Sequence, residues 1–211
     1  MTSTTPAHPA VHEVLAFWFG ACPPTDAAAV SVRAQWFTKS ETFDAQIRER
    51  FGSTIEAGLK GELDQWASEP LGWLALLIVL DQFTRNVYRG TAQSFAGDAA
   101  ALRWAEQGNS QGWDQELPLM ARAFAYLPLE HAEDMARQDA SVSAFQALVA
   151  DAESARAHED ILGTARSYLD YAERHRDVVR SFGRFPHRNT ILGRDSTPAE
   201  VEYLAQPGAG F

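Results

Sequence analysis

The sequence is poor in cysteine and contains no long apolar run. Cys22 is the only cysteine among 211 residues, which excludes an intrachain disulfide and a zinc site built from several thiolates. The longest apolar run, Leu71 to Leu80, has about half the length of a membrane-spanning helix and predicts a buried core helix. Met1 to Pro9 lacks the basic and apolar regions of a signal peptide, and we expect it to form a frayed tail.

Positive charge is scarce overall, but it is concentrated in one segment. The net charge is -10 and the isoelectric point about 5.0, which argues against a protein that coats nucleic acid or an anionic membrane. Residues 174–194 nevertheless contain six arginines and one acidic residue, so this window carries +5 and the remainder of the chain -15. The overall acidity therefore conceals a positive patch.

Composition and apolar spacing both predict an all-α fold. Alanine occurs 35 times, whereas valine and isoleucine together occur 16 times, and alanine loses least on entering a helix. No stretch shows the sustained two-residue alternation of a half-buried strand. Because no long polar linker interrupts the chain, we expect one helical domain over residues 10–206 with tails at 1–9 and 207–211. The expected architecture is a single-domain array of eight to ten antiparallel helices.

Capping residues and glycines divide the chain into predicted helices. Apolar residues recur every fourth position from Phe43 to Ile55, which predicts a helix between Ser40 and Gly58. Thr197, followed by Pro198 and Glu200, predicts a helix that begins with a capping box. The other predicted helices cover residues 9–20, 70–90, 98–108, 120–126, 128–152 and 155–183.

Three polar segments are candidates for a functional site, and the first directly follows the most apolar predicted helix. At helical spacing, Asp81, Arg85 and Arg89 share one face, and Gln82 and Asn86 share another. An unpaired buried donor costs about 1–3 kcal/mol, so this cluster needs partners. Either Arg85, Asn86 and Arg89 bind a ligand, or Asp81 pairs with Arg85 and Arg89 lies near the negative end of the helix dipole.

The second segment, Glu130 to Asp134, is predicted to lie in the first turns of a long helix, where the helix dipole favours acidic residues. Glu130 and Asp134 would then lie one turn apart with His131 between them, which makes a metal site or an acid/base group geometrically possible. The chain has no Glu-x-x-His pair and no His-Glu-x-x-His motif, so we predict no metal site. The alternative role of His131 is a hydrogen bond to a neighbouring helix.

The third segment runs from Arg180 to Thr197. Two glycines and a proline interrupt any helix there, so His187 and several arginines are displayed from an irregular segment of the kind that often carries binding sites. Arginine matches carboxylate and phosphate oxygens, and His187 can supply a proton near neutral pH. The candidate ligand-binding residues of this segment are Arg184, Arg188 and Arg194. Alternatively, these arginines tie the segment to acidic residues of the body.

Four groups of motifs resemble one known family. They are Trp36–Ser40 with Phe43–Asp44, Asp81–Asn86 with Arg89–Gly90, Tyr126–His131 with Glu133–Asp134, and Phe182–Asn189 with Leu192–Arg194 and Ser196–Pro198. In this order they resemble an uncharacterised bacterial family known as domain of unknown function 924, and the resemblance covers about Val14 to Leu204. It implies a cytosolic, all-helical protein with a tetratricopeptide-like arrangement of antiparallel helix pairs and no established activity.

The sequence departs from this family pattern at two positions. Ala132 stands where a serine is expected, and Asp195 stands where a glutamate is expected, so no mechanism should rely on a hydroxyl at position 132. No repeat of about 34 residues is visible, so any tetratricopeptide-like repeats must be degenerate.

Three hypotheses about function follow. The first is a tetratricopeptide-like scaffold that binds a peptide or protein partner. The second is an enzyme or binder of a small phosphate or carboxylate compound, in which the arginines contact the anion, His131 or His187 carries a proton and Glu130 orients it. It requires Arg85, His131 and His187 to converge, and separations above about 15 Å would exclude a shared site. The third is a buried polar network that fixes how the helices dock. None of them requires a cofactor, nucleic acid or a membrane.

Overall fold

The structure is a computed structural model that describes residues 9–210, and outside its loops this part of the chain is helical, with no β-strand. The helices are α1 (Pro9–Phe19), α2 (Asp26–Val32), α3 (Glu41–Leu59), α4 (Pro70–Leu77), α5 (Thr84–Val87), α6 (Asp98–Ser110), α7 (Leu119–Glu130), α8 (Met135–Ser154), α9 (Glu159–Phe182) and α10 (Pro198–Leu204). A π-helical segment, Ile78–Phe83, joins α4 to α5 without a break, so the described residues form nine helices in one domain. The predicted all-α fold is confirmed.

Short 3₁₀ segments complete the helical part of the chain. They are Arg33–Gln35, Asp64–Ser68, Ala92–Phe95, Trp113–Glu116 and Pro186–Arg188. Within residues 9–210, none of the helices has the length and apolar character needed to cross a membrane.

Several predicted helix ends are confirmed by their caps. The Ser40 hydroxyl accepts a hydrogen bond from the Phe43 amide at 3.3 Å, which begins α3. Thr197 and Glu200 form the predicted capping box at the start of α10. Gly183 ends α9 in the left-handed conformation, with φ of +70°, where a side chain would be strained. Local chemistry alone therefore specifies these boundaries.

The predicted helix over residues 128–152 is wrong, because the structure contains two helices there. Pro128 lies in the last turn of α7, where its missing N–H removes only one hydrogen bond near the helix end. After Glu130 the chain leaves the helix, and Asp134 begins α8 by accepting a hydrogen bond from the Arg137 amide at 3.1 Å. Glu130 and Asp134 therefore do not lie one turn apart on a shared helix.

The core is an aromatic cluster that joins the N-terminal helices to α7. The rings of Trp36 and Phe124 lie 4.8 Å apart, and those of Phe51 and Phe83 also lie 4.8 Å apart. Trp18 contacts both Phe83 and Phe124, with ring centroids 5.7 Å apart in each case. This cluster fixes the π-helical segment between α3 and α7. The most extensive contact between helices is that of α8 with α9, which form a hairpin next to α7.

The predicted tails, residues 1–9 and 207–211, stay predictions. Residues 1–8 and 211 lie outside the described residues, and Pro9 is the first residue of α1. Near the other end, Gly210 lies against His187, so close that a Cβ at residue 210 would come within 2.9 Å of the His187 Cβ.

Candidate functional site

The three polar segments meet at one cleft of about 930 Å³. Arg85 from α5, His131 after α7, and His187 from the last 3₁₀ segment all line it. The opposite wall belongs to α9. The convergence that a shared site requires is therefore present, although the three residues span more than 100 positions of the sequence.

The π-helical segment and a glycine bring the first segment into place. Asp81 lies in the π-helical turn, accepts a hydrogen bond from Gln82 Nε2 at 2.6 Å, and is almost completely buried. Gly97 packs directly on the carbonyl of Leu80, and a Cβ there would collide with the carbonyl oxygen. This close approach lets Asp98, the next residue, reach the side chain of Arg85. π-Helical turns occur often at functional sites, and here the turn carries a buried carboxylate to the back of the cleft.

Two arginines share the carboxylate of Asp98. Arg85 donates to its two oxygens at 2.8 and 3.2 Å, and Arg188 donates to one of them at 3.1 Å. Arg188 also donates to the carbonyl of His131 at 3.1 Å. Both guanidinium groups lie over the ring of Phe95, at 5.8 and 4.6 Å from its centroid. Asp98 and Phe95 therefore fix the planes of two cations that come from distant segments.

The remaining cation of the first segment is fixed by α3. Arg89 donates to Asp44 at 3.1 and 3.2 Å, and Asn86 donates to the same carboxylate at 2.7 Å. Asp44 belongs to one of the motifs that resemble the family, but its role as partner of these two residues was not predicted. The predicted pair of Asp81 with Arg85 is present as well, at 3.2 Å.

The lining of the cleft separates the arginines from their carboxylate partners. Arg85, Arg89 and Arg188 line the cleft, whereas Asp44, Asp81 and Asp98 lie outside its lining. We call these three arginines the cationic wall. Three acidic residues do line the cleft. Glu130 ends α7, and Glu159 and Asp160 begin α9, where Asp160 pairs with Arg33 at 2.7 Å. The wall therefore presents its positive charge to the interior of the cleft.

His131 is held as a neutral ring. Its Nδ1 lies 2.7 Å from Asp81 Oδ1, and Arg85 contacts the same oxygen. Burial and the Arg85 charge lower the pKa of His131, although Asp81 acts in the opposite direction. Burial by itself raises the pKa of Asp81, but Arg85 and His131 outweigh it and hold the pKa far below its ordinary value. At neutral pH, His131 therefore donates its Nδ1 proton to an ionised Asp81.

Glu130 has the opposite electrostatic character. Burial and the nearby charge of Asp81 raise its pKa to about 8, and Arg85 only partly compensates. Its Oε1 lies 3.2 Å from His175 Nδ1, which also lies 2.8 Å from the carbonyl of Tyr171. Its Oε2 is buried and has no hydrogen-bond partner within the described part of the chain. Glu130 is therefore mostly protonated and uncharged at neutral pH.

The two other histidines of the cleft are neutral. Burial and His131 lower the pKa of His175 to about 3, and burial and Arg188 lower the pKa of His187 to about 4. The ring of His187 lies 5.7 Å from that of Phe185. The two predicted proton carriers, His131 and His187, are therefore neutral, and Glu130, which was expected to orient them, is the candidate whose pKa lies near neutral pH.

Arg184 and Arg194 do not line the cleft. Arg184 donates to Glu200 at 2.7 and 2.8 Å, and Arg194 donates to Glu133 at 2.6 and 2.9 Å. Glu133 also accepts a hydrogen bond from the Phe185 amide at 2.8 Å. We call these two ion pairs the clasp. The Arg194 pair ties the third segment to the loop after α7, and the Arg184 pair ties it to α10. Pairing with acidic residues is the alternative that the sequence left open for these arginines.

The second segment does not supply a cluster of metal ligands. Asp134 is occupied as the N-cap of α8 and contacts Arg137 at 3.4 Å. In residues 9–210, no group of three or more histidine, cysteine or carboxylate side chains is arranged to hold a metal ion.

Sequence reasoning missed the wall of the cleft that α9 supplies. Its lining residues follow the i, i+3, i+4, i+7 pattern of one helix face, namely Asp160, Gly163, Thr164, Ser167, Tyr168, Tyr171 and His175. This spacing was available in the sequence, but the stripe is mostly polar and was not distinguished from a solvated face. The residues Arg33, Trp36 and Phe37 near the mouth were also missed, because they follow a short helix that was not predicted.

Comparisons with other proteins give a family without an assigned activity. A solved structure of a protein of unknown function from Agrobacterium tumefaciens is 36% identical, with a TM-score of 0.77, and the match covers 92% of this chain and 96% of that one. No curated protein matches the sequence. The model of a family described as bacterial protein of unknown function (DUF924) matches residues 14–208. Because this match spans most of the sequence, the chain belongs to the DUF924 family.

Proposed function

We propose that the cleft binds a small molecule that carries a phosphate or carboxylate group, and that the cationic wall binds this group. One observation carries the proposal. Arg85, Arg89 and Arg188 line the cleft, whereas the carboxylates with which they pair lie outside the lining. A bound anion would face guanidinium groups without meeting these carboxylates directly.

The position of the paired carboxylates strengthens this interpretation. Asp81 and Asp98 balance the charges of Arg85 and Arg188 but lie outside the lining, so the field that reaches the cleft comes mainly from the guanidinium groups. Concave surfaces with low-dielectric walls concentrate such a field. The uncharged form of Glu130 adds no repulsion at neutral pH, because its pKa is about 8. The volume of about 930 Å³ also lies in the range of roughly 300–1,000 Å³ that is typical of small-molecule sites.

The same groups suggest how a proton could be exchanged. Glu130 is the predicted candidate with a pKa near neutral pH, whereas His131 and His187 are held neutral. We therefore assign proton exchange with a bound ligand to Glu130, and we assign His131 the role of fixing Asp81 behind the wall.

The buried polar network can coexist with this proposal, whereas the scaffold for a protein partner is an alternative to it. The buried polar network made by Asp81, Asp98 and His131 is compatible with it, because the network holds the cationic wall in place. A tetratricopeptide-like scaffold for a peptide or protein partner stays a prediction, as does a cytoplasmic location. The size of the cleft favours a small ligand over an extended partner surface.

Anion binding can be tested by isothermal titration calorimetry and thermal unfolding with inorganic phosphate and with acetate, at constant ionic strength. A specific ligand at 100 times its Kd should stabilise the fold by about 2.7 kcal/mol. The test variant is Arg89→Gln and its matched control is Arg137→Gln. Both side chains are 41% exposed and both pair with carboxylates, but only Arg89 lines the cleft.

We expect Arg89→Gln to weaken binding of the better anion about tenfold, because a hydrogen bond to a charged group contributes about 1.5–3 kcal/mol. Arg137→Gln should leave the affinity unchanged. Arg85→Gln should weaken binding as well, and urea unfolding will show whether this more buried variant retains its fold. The proposal fails if neither anion binds, or if the two arginine variants at positions 89 and 137 lose the same affinity.

A further inference from the structure

We infer that the ligand of the cleft carries a flat aromatic body attached to its anionic group, and that this body lies against the rings of Phe37 and Tyr171. The inference rests on the proposed anion site and specifies the class of molecule that the site accepts. Its evidence is the size of the cleft and the position of exposed aromatic surface.

The cleft is much larger than a simple anion. A water molecule takes up about 30 Å³ in the liquid, and phosphate or acetate is only a few times larger than water. Either ion would leave most of the approximately 930 Å³ unfilled. The remaining space is bordered by five aromatic rings, namely Trp36, Phe37, Phe95, Tyr168 and Tyr171. A ligand that fills the cleft therefore needs a body with apolar surface in addition to its charged group.

Exposed aromatic surface is concentrated at this cleft. Phe37 is 62% exposed and Tyr171 is 44% exposed, and both line it. The other large hydrophobic residues that are exposed in the described part of the chain are Leu192 and Val201, and neither lines the cleft. The exposed aromatic rings are therefore those placed beside the proposed anion site.

Both rings are held in position by their neighbours. Phe37 is stacked on Phe124 with ring centroids 6.4 Å apart, and Tyr168 approaches it edge-on at 5.9 Å. Tyr171 has the guanidinium of Arg174 at 5.5 Å from its ring centroid. Because these contacts order the rings before a ligand arrives, a ligand ring gains contact without the full cost of immobilising flexible side chains. Aromatic pairs also gain from offset-stacked or edge-to-face geometry beyond the area they bury.

Matched pairs of probes separate the contribution of the ring from that of the charge. Isothermal titration calorimetry compares phenyl phosphate with inorganic phosphate, and benzoate with acetate. We expect the phenyl compound of at least one pair to bind about tenfold more tightly than its parent ion. Cyclohexanecarboxylate tests the flat shape, because it has a similar apolar body without an aromatic face, and it should bind severalfold more weakly than benzoate.

Variants locate the contribution of the ring. Phe37→Ala and Tyr171→Ala should each reduce the advantage of the phenyl compound about threefold or more, and should leave the affinity for the parent ion unchanged. Leu192→Ala and Val201→Ala are the controls, because they remove exposed apolar side chains outside the cleft. Phe37 is largely exposed, so its variant should fold, and far-ultraviolet circular dichroism and urea unfolding will check both test variants.

The outcomes for this inference differ from those for the proposed function. If phosphate or acetate binds in an Arg89-dependent way but the phenyl compounds bind no better, the inference is overturned and the anion site stands. Equal affinities of benzoate and cyclohexanecarboxylate would also overturn it, as would a phenyl advantage that survives in both aromatic variants. If no anion binds, the proposed function itself fails.

Discussion

The arginines of the third segment form two kinds of ion pair. In the clasp, Arg184 and Arg194 each meet a separate glutamate through two hydrogen bonds of 2.6–2.9 Å. In the cationic wall, Arg188 shares the single carboxylate of Asp98 with Arg85. The clasp lies outside the cleft lining and holds two parts of the fold together, whereas in the wall the arginines line the cleft and their carboxylates, Asp81 and Asp98, do not. The same residue type therefore serves stability in one region and, we propose, binding in the other.

Glu130 and Glu133 lie only three positions apart, but one belongs to the cleft and the other to the clasp. Burial raises the pKa of Glu133, but the bonds from Arg194 and the Phe185 amide outweigh it and hold the pKa below its ordinary value. Burial and Asp81 raise the pKa of Glu130 to about 8. The chain leaves α7 between them, so Glu133 faces the clasp and Glu130 faces the cleft. Their substitutions should therefore change stability in opposite directions.

The largest expected effect is the loss of the clasp. Glu133→Ala removes the partner of Arg194 and leaves the Phe185 amide without its acceptor. Because charged hydrogen bonds contribute about 1.5–3 kcal/mol, we expect the free energy of unfolding to fall by about 2–3 kcal/mol, with a Tm lower by about 5 °C or more. Urea and thermal unfolding at pH 7 measure both values.

A surface pair provides the control for this prediction. Glu153→Ala breaks the ion pair with Arg166, which spans 2.9 Å but leaves both side chains about half exposed. Such pairs contribute little, so its effect should stay below about 1 kcal/mol. Equal effects of the two alanine variants would contradict the structural role of the clasp.

The next prediction concerns Glu130, whose substitution should raise the free energy of unfolding instead of lowering it. Its pKa is about 8 in the folded protein and 4.5 ordinarily, so between these values the unfolded chain releases a proton that the folded chain keeps. Stability therefore falls as the pH rises from about 4.5 to about 8. Glu130→Gln keeps the site uncharged at every pH. Because each pH unit above 4.5 costs about 1.4 kcal/mol, we expect it to be more stable than the unchanged protein by up to about 3 kcal/mol at pH 7, with no difference at pH 4.

Urea unfolding between pH 4 and pH 8.5 tests this prediction, with Glu133→Gln as the matched control. The pKa of Glu133 is lowered, so its ionised form adds stability above about pH 4.5 that is lost as the pH falls. The control should therefore be less stable than the unchanged protein at pH 7. A Glu130→Gln variant that loses stability at pH 8 would show that the carboxylate is ionised and paired in the folded state.

Local chemistry explains which parts of the fold were predictable. Ser40, Gly183 and Thr197 cap their helices through contacts with residues only a few positions away, so the sequence reveals them. The π-helical turn has no such signal, because packing of distant helices around Ile78–Phe83 determines it. Asp134 carries an N-cap signal, but Pro128, six positions earlier, is also typical of a helix start, so the sequence predicts one helix where the structure has two.

The candidate site was only partly predictable for a related reason. Polar residues beside an apolar helix stand out in a sequence, which is why Arg85 is predicted, and Glu130 is predicted from its spacing with His131 and Asp134. Asp98 could not be recognised, because its role depends on the close packing of Gly97 against the π-helical segment. Arg188 and Arg194 could not be separated either. They lie in the same arginine-rich segment, and only the tertiary structure decides which carboxylate each of them meets.

The smallest expected effect links the charge of Glu130 to binding in the cleft. Benzoate stays ionised above pH 6, and the pKa values of His131, His175 and His187 are lowered, so these groups do not titrate between pH 7 and pH 9. Ionisation of Glu130 near pH 8 adds a negative charge beside the bound anion. At about 8 Å and an effective dielectric constant of about 20, such repulsion is on the order of 1–2 kcal/mol, and salt reduces it further. The affinity for benzoate should therefore fall about fivefold between pH 7 and pH 9, as measured by calorimetry.

Two variants test whether Glu130 causes this fall in affinity. The fall should disappear in Glu130→Gln and persist in Glu133→Gln, because Glu133 is already ionised at pH 7 and lies outside the cleft lining. A fall of equal size in all three proteins would assign the pH dependence to another group and would remove Glu130 from the proposed site.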